Sequence, residues 1–281
     1  MDQKYINLFD RFTHGGMNRR EFMEKLSILA GSTTAATAIL PILENNYAHA
    51  DILPEGDPRI VSETLTYAGG AGYFAKPSAE GKYPGVIVIH ENRGLNPHIK
   101  DVARRMAAEG FAALAPDYLS DLGGTPEDAD KARDMIGTLK PEGIDASSSA
   151  ALATLKANPA SNGKAGAMGF CWGGGKVNSL AVADQGLGAG VAYYGSQPAE
   201  ADVPKITAPL LLHYASLDER INAGIPAFEA ALKANNKVYE LHMYEGANHA
   251  FNNDTNAARF NKDAAELAWS RTVAFLKKHV S

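Results

Sequence analysis

Residues 168–175 read Met-Gly-Phe-Cys-Trp-Gly-Gly-Gly, and this stretch decides the fold. An apolar run over residues 164–170 has strand character, and residues 174–183 have a helical pattern. One glycine stands two residues before Cys171 and another stands two residues after it. A sharp strand-to-helix turn needs such glycines, because it strains the backbone of the central residue and brings the flanking backbone close together. The pattern therefore predicts a nucleophile elbow that carries Cys171.

The chain on both sides of this turn alternates between strand and helix patterns. Further strands are predicted at residues 83–90, 111–115, 190–194, 208–215 and 238–244, and helices at residues 96–109, 126–139, 145–157, 225–234 and 264–279. Gly69 and Gly70 lie between two short strand patterns, which indicates an antiparallel hairpin at the start. We expect an α/β-hydrolase fold, a mostly parallel sheet of about eight strands with helices on both faces. The alternation alone also allows other doubly wound folds.

The composition excludes several classes of protein. The chain has 281 residues, a net charge of −5 and a single cysteine. This length suits one large domain, and a slightly acidic chain without a basic cluster argues against a nucleic-acid partner. One cysteine excludes an internal disulfide and a cysteine-rich zinc or iron–sulfur site. No pair of histidines has metal-ligand spacing with a carboxylate partner, so we predict no metal and no cofactor.

The first fifty residues have the order of an export signal. Residues 19–22 read Arg-Arg-Glu-Phe, a weakly apolar run covers residues 26–40, and residues 48–50 read Ala-His-Ala. This order resembles a twin-arginine signal and predicts export to the periplasm. The apolar run is too short and too polar for a comfortable membrane span.

The same segment also allows a cytoplasmic protein. In that alternative, Asn18 caps an amphipathic helix that packs on the rest of the chain. From residue 51 onward we find no linker, repeat or charge block. We therefore predict an N-terminal segment over residues 1–50 and an α/β-hydrolase domain over residues 51–281.

Two residues that follow C-terminal strands complete the predicted chemistry. Asp218 comes just after the strand at residues 208–215, and His249 follows the last strand. The order Cys171, Asp218, His249 is nucleophile, acid and base, the chain order of α/β-hydrolases. A helix N-terminus at Cys171 would favour its thiolate. The alternative for Cys171 is a small buried apolar side chain.

Four motifs resemble the dienelactone hydrolase family, also called carboxymethylenebutenolidases. They are His-Glu-Asn-Arg-Gly-Leu-Asn at residues 90–96, Ala-Pro-Asp at 115–117, Gly-Phe-Cys-Trp-Gly-Gly at 169–174 and Gly-Ala-Asn-His-Ala-Phe at 246–251. The resemblance covers nearly all of residues 60–280. It implies the α/β-hydrolase fold and a catalytic triad of Cys171, His249 and Asp218.

The resemblance also implies roles for residues beside the triad. Glu91 matches a glutamate that partners the resting thiol in the family and moves when substrate arrives. A thiol that ionises only on substrate binding is protected from oxidation. The alternative for Glu91 is a solvated loop carboxylate. The backbone N–H groups of Asn92 and Trp172 fall where the family forms its oxyanion hole.

The chain departs from the family where substrate specificity is set. Dienelactone-cleaving members carry an arginine four residues after the triad histidine, where this chain has Asn253. A second family arginine is missing from the stretch that begins at Tyr118. This departure argues against a carboxylated dienelactone as the substrate, because bidentate carboxylate recognition needs arginine. Arg93 or Arg220 could compensate, or both could be ordinary surface arginines, and Tyr118, Phe251 and Asn253 are further possible substrate-binding residues.

These features predict a cysteine-dependent esterase, a hydrolase of small lactones or activated esters. The expected steps are attack by Cys171, proton uptake by His249, thioester formation and hydrolysis by a water that His249 activates. One alternative is a non-catalytic binding or redox-sensing protein with the same fold. Another is a thioesterase or acyltransferase that uses the same residues. The expected partner is a small-molecule substrate, with no nucleic acid and no stable membrane span.

Overall fold

One sheet forms the centre of the protein. The structure is a computed structural model, and it describes residues 1–47, 50 and 52–281. Within those residues the sheet has eight strands: β1 (Ile60–Tyr67), β2 (Gly70–Pro77), β3 (Tyr83–Ile89), β4 (Ala112–Asp117), β5 (Ser161–Phe170), β6 (Gly190–Tyr193), β7 (Leu210–Ala215) and β8 (Tyr239–Tyr244). Their order is β1-β2-β4-β3-β5-β6-β7-β8. The β1–β2 and β2–β4 pairs are antiparallel and all other pairs are parallel.

Helices cover both faces of this sheet. They are α4 (Pro97–Ala108), α5 (Ala129–Ile136), α6 (Pro141–Ala157), α7 (Trp172–Ala183), α8 (Glu219–Asn222), α9 (Ile225–Ala234) and α10 (Lys262–Val280). Apolar side chains of α4 and α10 pack in one core layer, and those of α6, α7 and α9 pack in the other. Val86 to Ile89 of β3 are fully buried, as expected for a strand that is covered on both faces. The predicted α/β-hydrolase fold is confirmed.

Some element boundaries differ from the sequence-based predictions. Helix α6 begins at Pro141 rather than at residue 145, because proline is well suited to the first helical position. Helix α5 is shorter than predicted, and the side chain of Asp128 caps its N-terminus. Strand β4 continues through Pro116, which pairs with Gly72 of β2. None of these differences moves the strand ends that carry the predicted site.

Over residues 1–47, the N-terminal segment forms three α-helices, α1 (Gln3–Thr13), α2 (Arg19–Ala30) and α3 (Thr33–Leu43). Helix α1 was not predicted, although Ile6, Phe9 and Phe12 recur at helical spacing and bury one face of it. The apolar run over residues 26–40 is divided between α2 and α3. No single helix in the described chain is long and apolar enough to cross a membrane. Helices α2 and α3 meet the length and composition criteria only as a pair, and the chain bends by 111° between them.

These helices pack on the rest of the protein. Asn18 caps α2, as the packed-helix alternative predicts. Gln3 donates to Asn248, and the backbone N–H of Asn46 donates to the carbonyl of Thr255. Of the predicted cleavage motif, Ala48 and His49 lie outside the described residues, as does Asp51. The division of the chain at residues 50 and 51 stays a prediction.

His213 on β7 makes the stability of the fold dependent on pH. Its side chain is fully buried between Tyr244 and Thr272, and burial followed by the charges of His242 and Arg271 holds its pKa well below the ordinary value. Below about pH 6.5 the unfolded chain binds a proton at His213 that the folded protein does not, so the free energy of unfolding decreases as the pH decreases. His213 contributes at most about 1.4 kcal/mol to this decrease for each pH unit.

We expect His213→Gln to reduce this slope in urea unfolding measured between about pH 7 and about pH 5. Thr272→Val is the control, because it removes a hydrogen-bond partner and keeps the imidazole. It should lower stability without changing the slope. An unchanged slope in His213→Gln would contradict the assignment.

Candidate active site

Cys171 occupies the sharp turn between β5 and α7. Its φ of 56° and ψ of −116° place a non-glycine residue in a strained conformation, and it caps the N-terminus of α7. A Cβ at Gly169 would collide with the backbone of Gly173, and one at Gly173 would collide with the carbonyl of Ile89. The glycines therefore allow the chain to cross itself closely while the thiol stands at the end of the helix.

Asp218 and His249 meet at the same edge of the sheet. Asp218 follows β7 and His249 lies in the loop after β8. His249 Nδ1 lies 2.5 Å from Asp218 Oδ2, and both residues are 4% exposed. With Nδ1 held in this way, Nε2 of His249 is buried and has no hydrogen-bond partner among the described residues. The imidazole is thus oriented by a carboxylate and has its second nitrogen available.

A second imidazole reaches the cysteine from the N-terminal segment. His14, at the C-terminus of α1, has Nε2 3.2 Å from Cys171 Sγ. Its Nδ1 lies 3.1 Å from Asp10 Oδ1, and its ring centre lies 4.7 Å from that of His249. Sequence analysis did not find this residue, because His14 and Cys171 are 157 positions apart. The spacing of four between Asp10 and His14, which places them on one face of a helix, was the one local signal.

The three side chains lie close together at the elbow. Sγ of Cys171 and one ring nitrogen each of His14 and His249 all lie within 4.8 Å of one another. The sequence-based prediction of no metal considered only ligands that are close in sequence, so it did not consider this cluster.

Glu91 is placed close to the site but pairs with another residue. It is 5% exposed, and its carboxylate accepts a hydrogen bond of 2.8 Å from the side chain of Asn253. Burial, followed by the charge of Glu91, raises the pKa of the neighbouring Tyr47 to about 12. The hydrogen bond of the thiol in this structure is with His14. The role of Glu91 as the resting partner of Cys171 stays a prediction.

The two predicted oxyanion-hole residues flank the thiol. Trp172 is the first residue of α7, where backbone N–H groups have no partner within the helix. Asn92 follows β3, and its side chain donates a 2.7 Å hydrogen bond to the carbonyl of Thr13. The N-terminal segment is therefore attached directly to this side of the site.

The predicted substrate-binding residues are in different environments. Phe251 and Asn253 are fully buried, and Phe251 packs among core tyrosines. Tyr118 is 8% exposed and shares a 2.7 Å hydrogen bond with Ser148. Arg93 is held by Asp130, and the exposed Arg220 lies 3.4 Å from Asp10. Of the five, only the two arginines line the cavities that reach Cys171.

Two cavities meet at the cysteine and share part of their lining. Both are lined by Thr13, His14, Asn92, Cys171 and His249. One encloses about 290 Å³, and its other walls include many charged side chains: Arg19, Glu44, Glu91, Arg93, Glu127, Asp128, Asp130 and Arg259. The second encloses about 580 Å³, and its walls include the apolar or aromatic Ile136, Trp172, Tyr194 and Ile221.

An elbow on an eight-stranded, mostly parallel sheet, with an acid and a histidine after later strands, defines an α/β-hydrolase. The model of the dienelactone hydrolase family matches residues 71–280, and the chain belongs to that family. It is accordingly a hydrolase that acts on lactone or ester bonds, with a small-molecule substrate.

Individual relatives agree with this assignment. A Saccharolobus solfataricus protein named as a carboxymethylenebutenolidase is 36% identical over 230 residues, which covers 69% of this chain and 88% of the relative. An Escherichia coli protein named as a hydrolase fragment, YghX, is 47% identical over 113 residues, 38% of this chain and 97% of the relative. A solved structure named as a dienelactone hydrolase from Klebsiella pneumoniae has a TM-score of 0.71 and 27% identity, and the match covers 78% of this chain and 99% of the other.

The N-terminal segment has a match of its own. A second family model, described as YqhI-like, matches residues 1–31. That range contains α1 with Asp10, the adjoining His14, and all of α2.

Proposed function

We propose that this protein is a cysteine-dependent hydrolase of small lactones and activated esters, with Cys171 as the nucleophile and His249 and Asp218 as its base and acid. The observation that carries the proposal is the strained elbow of Cys171 within 4.8 Å of an imidazole whose other nitrogen is held by a buried carboxylate. A nucleophile, a base and a group that orients the base are the elements that acyl transfer requires.

The geometry supports a two-stage reaction. Sγ attacks the substrate carbonyl, and the developing oxyanion accepts hydrogen bonds from the backbone N–H groups of Asn92 and Trp172. His249 takes the proton of the thiol and gives it to the leaving oxygen as the C–O bond breaks, so that the alcohol departs and a thioester remains on Cys171. His249 then takes a proton from a water molecule, which hydrolyses the thioester. Esters with a stabilised leaving group, such as enol and aryl esters, suit this chemistry, whereas an amine is a poor leaving group.

The environment of the arginines favours substrates without a carboxylate beside the reacting carbonyl. Asn253, which stands where the family has an arginine, is buried, and its side chain donates a hydrogen bond to Glu91. The guanidinium of Arg93 donates to Asp130, and that of Arg220 lies against Asp10. Bidentate recognition of a substrate carboxylate would have to compete with these carboxylates. We therefore infer a neutral lactone or ester as the substrate class.

A panel of aryl esters, enol lactones, charged dienelactones and anilides tests the proposal. We expect turnover of the neutral esters and lactones, slower turnover of the carboxylated ones and none of the anilides. Mass spectrometry of the quenched enzyme should show an acyl group on the single cysteine. Enzyme alkylated at that cysteine with iodoacetamide is the control and should show neither turnover nor adduct. Equal turnover by the alkylated enzyme would contradict the proposal.

Export by a twin-arginine signal stays a prediction, which is made from the sequence of residues 19–50. Cleavage after Ala50 would remove α1, α2 and α3 from the mature protein. N-terminal sequencing of the protein purified from fractions of its native host tests this. A mature chain in the periplasm that begins near residue 51 would support export, and a cytoplasmic chain that retains α1 would contradict it.

A further inference from the structure

Asp10 and His14 repeat the arrangement of Asp218 and His249 beside the same thiol. Asp10 and His14 are four residues apart on the last turn of α1 and therefore lie on one face of the helix. Nδ1 of His14 contacts both the backbone carbonyl and the carboxylate of Asp10, which leaves Nε2 directed at Cys171 Sγ. Both histidines are thus oriented through Nδ1 by an acidic residue.

Two helix ends reinforce a charge pair at this point. His14 lies at the C-terminus of α1, where the helix dipole favours a cation, and Gly15 follows with a positive φ of 83° that turns the chain away. Cys171 lies at the N-terminus of α7, where the dipole favours an anion. A protonated imidazole at His14 and a thiolate at Cys171 therefore agree with both dipoles.

Cys171 and Asp10 act in the same direction, and the charge of His249 opposes them. Burial lowers the pKa of His14, but the charge of Cys171 and the hydrogen bond with Asp10 outweigh it, so the pKa lies above its ordinary value. Burial likewise would raise the pKa of Asp10, and the charges of His249, His14 and Arg220 instead keep it well below its usual range. The groups that face His14 are thus Asp10, Cys171 and His249, with Arg220 beyond Asp10.

We propose that His14 is a further catalytic residue, which holds the proton of Cys171 in the resting enzyme and delivers it to the leaving group. This inference rests on the proposed function and moves one proton of that reaction, the proton of the Cys171 thiol, from His249 to His14. His249 is then reserved for the water that hydrolyses the thioester. The inference also requires that the active protein retains α1.

The proton balance of the reaction closes with this division of roles. The thiolate forms the S–C bond, the C–O bond to the alcohol breaks, and the proton on His14 Nε2 moves to the leaving oxygen. A water molecule then gives a proton to His249, its oxygen bonds the thioester carbon, and the C–S bond breaks to release the carboxylic acid and the thiolate. The proton on His249 returns to the adjacent His14, and the acid loses its own proton to solvent.

The single cysteine allows a test that needs no substrate. The rate of alkylation by iodoacetamide as a function of pH reports the thiolate of Cys171 directly. We expect His14→Ala to lower the alkylation rate at weakly acidic pH about tenfold. His14→Gln keeps the side-chain shape without the charge and should behave like His14→Ala, and Asp10→Asn should change the alkylation rate in the same direction. His242→Ala, a half-buried histidine on β8, is the control and should have the wild-type profile.

A comparison with His249→Ala separates the two histidines. We expect His249→Ala to keep the alkylation profile and to accumulate the acyl-enzyme, and His14→Ala to form the acyl-enzyme slowly and turn it over. All assays are repeated with EDTA, so that a metal held by the three side chains does not account for the result. An unshifted alkylation profile in both His14 variants, with correct folding by circular dichroism, would overturn the inference. A shifted profile in a protein that hydrolyses no ester would instead support His14 as the proton holder and refute the proposed function.

Discussion

Cys171→Ala is expected to lower kcat for an activated aryl ester by about 10⁶-fold. The side chain that forms the acyl-enzyme is removed, so the only acceleration left comes from substrate binding and the oxyanion hole, about 10³-fold over water. Because alanine fits the space of the thiol, the fold should persist. Steady-state kinetics at one pH with purified protein measure the effect.

Cys171→Ser is the comparison variant for this experiment, and His242→Ala is its control. Serine keeps a nucleophilic oxygen at the elbow but ionises much less readily, so its activity should lie far below the wild type. His242→Ala changes a histidine outside the site and should retain wild-type activity. Residual activity above about one tenth of the wild type in Cys171→Ala would refute cysteine-dependent catalysis.

Asp218→Asn is expected to lower kcat by about 10⁴-fold. The amide cannot hold Nδ1–H of His249 as the carboxylate does, so the imidazole loses the tautomer and the orientation that a base needs. Oδ1 of residue 218 also accepts a hydrogen bond from the backbone N–H of Ile221, and the carbonyl oxygen of asparagine can keep that contact. The loss should therefore appear in kcat more than in stability.

Asp202→Asn is the matched control for this substitution. Asp202 forms an exposed ion pair with Lys205 away from the site, and its replacement should change neither kcat nor the midpoint of urea unfolding measurably. The carboxylate of Asp218 would have no part in orienting the base if Asp218→Asn kept kcat within about tenfold of the wild type.

The fold and the elbow were predictable because their signals are local. Apolar runs of strand length, the glycines around Cys171 and the turn at Gly69 and Gly70 each specify their own backbone. The positions of Asp218 and His249 followed, because parallel strands end at one edge of the sheet. Substrate-contact residues were less predictable: Phe251 is next to the site in sequence, yet its ring packs in the core.

The contact between His14 and Cys171 could not be predicted from spacing. It depends on how α1, α2 and α3 pack together around Phe12 and Phe22, whose rings stack at 4.5 Å, and on where that cluster meets the sheet. Such tertiary packing joins residues that are far apart in the chain and leaves no periodic signal. The polar character of the first residues concealed an amphipathic helix, because only three apolar positions define its buried face.

The two cavities that meet at Cys171 give a substrate two unequal compartments. An ester bound with its carbonyl at Sγ would extend into both, and the smaller compartment contains many charged side chains while the larger includes aromatic and aliphatic walls. We therefore expect the acyl group and the alcohol group of the ester to be selected by different sets of side chains, so that each group can be varied independently in a substrate series. A substrate search is best arranged as a grid that combines each acyl group with each leaving group. A smaller side chain at Ile136 would widen the larger compartment and should broaden the range of groups accepted there. The order of preference for the groups bound in the smaller compartment should stay the same.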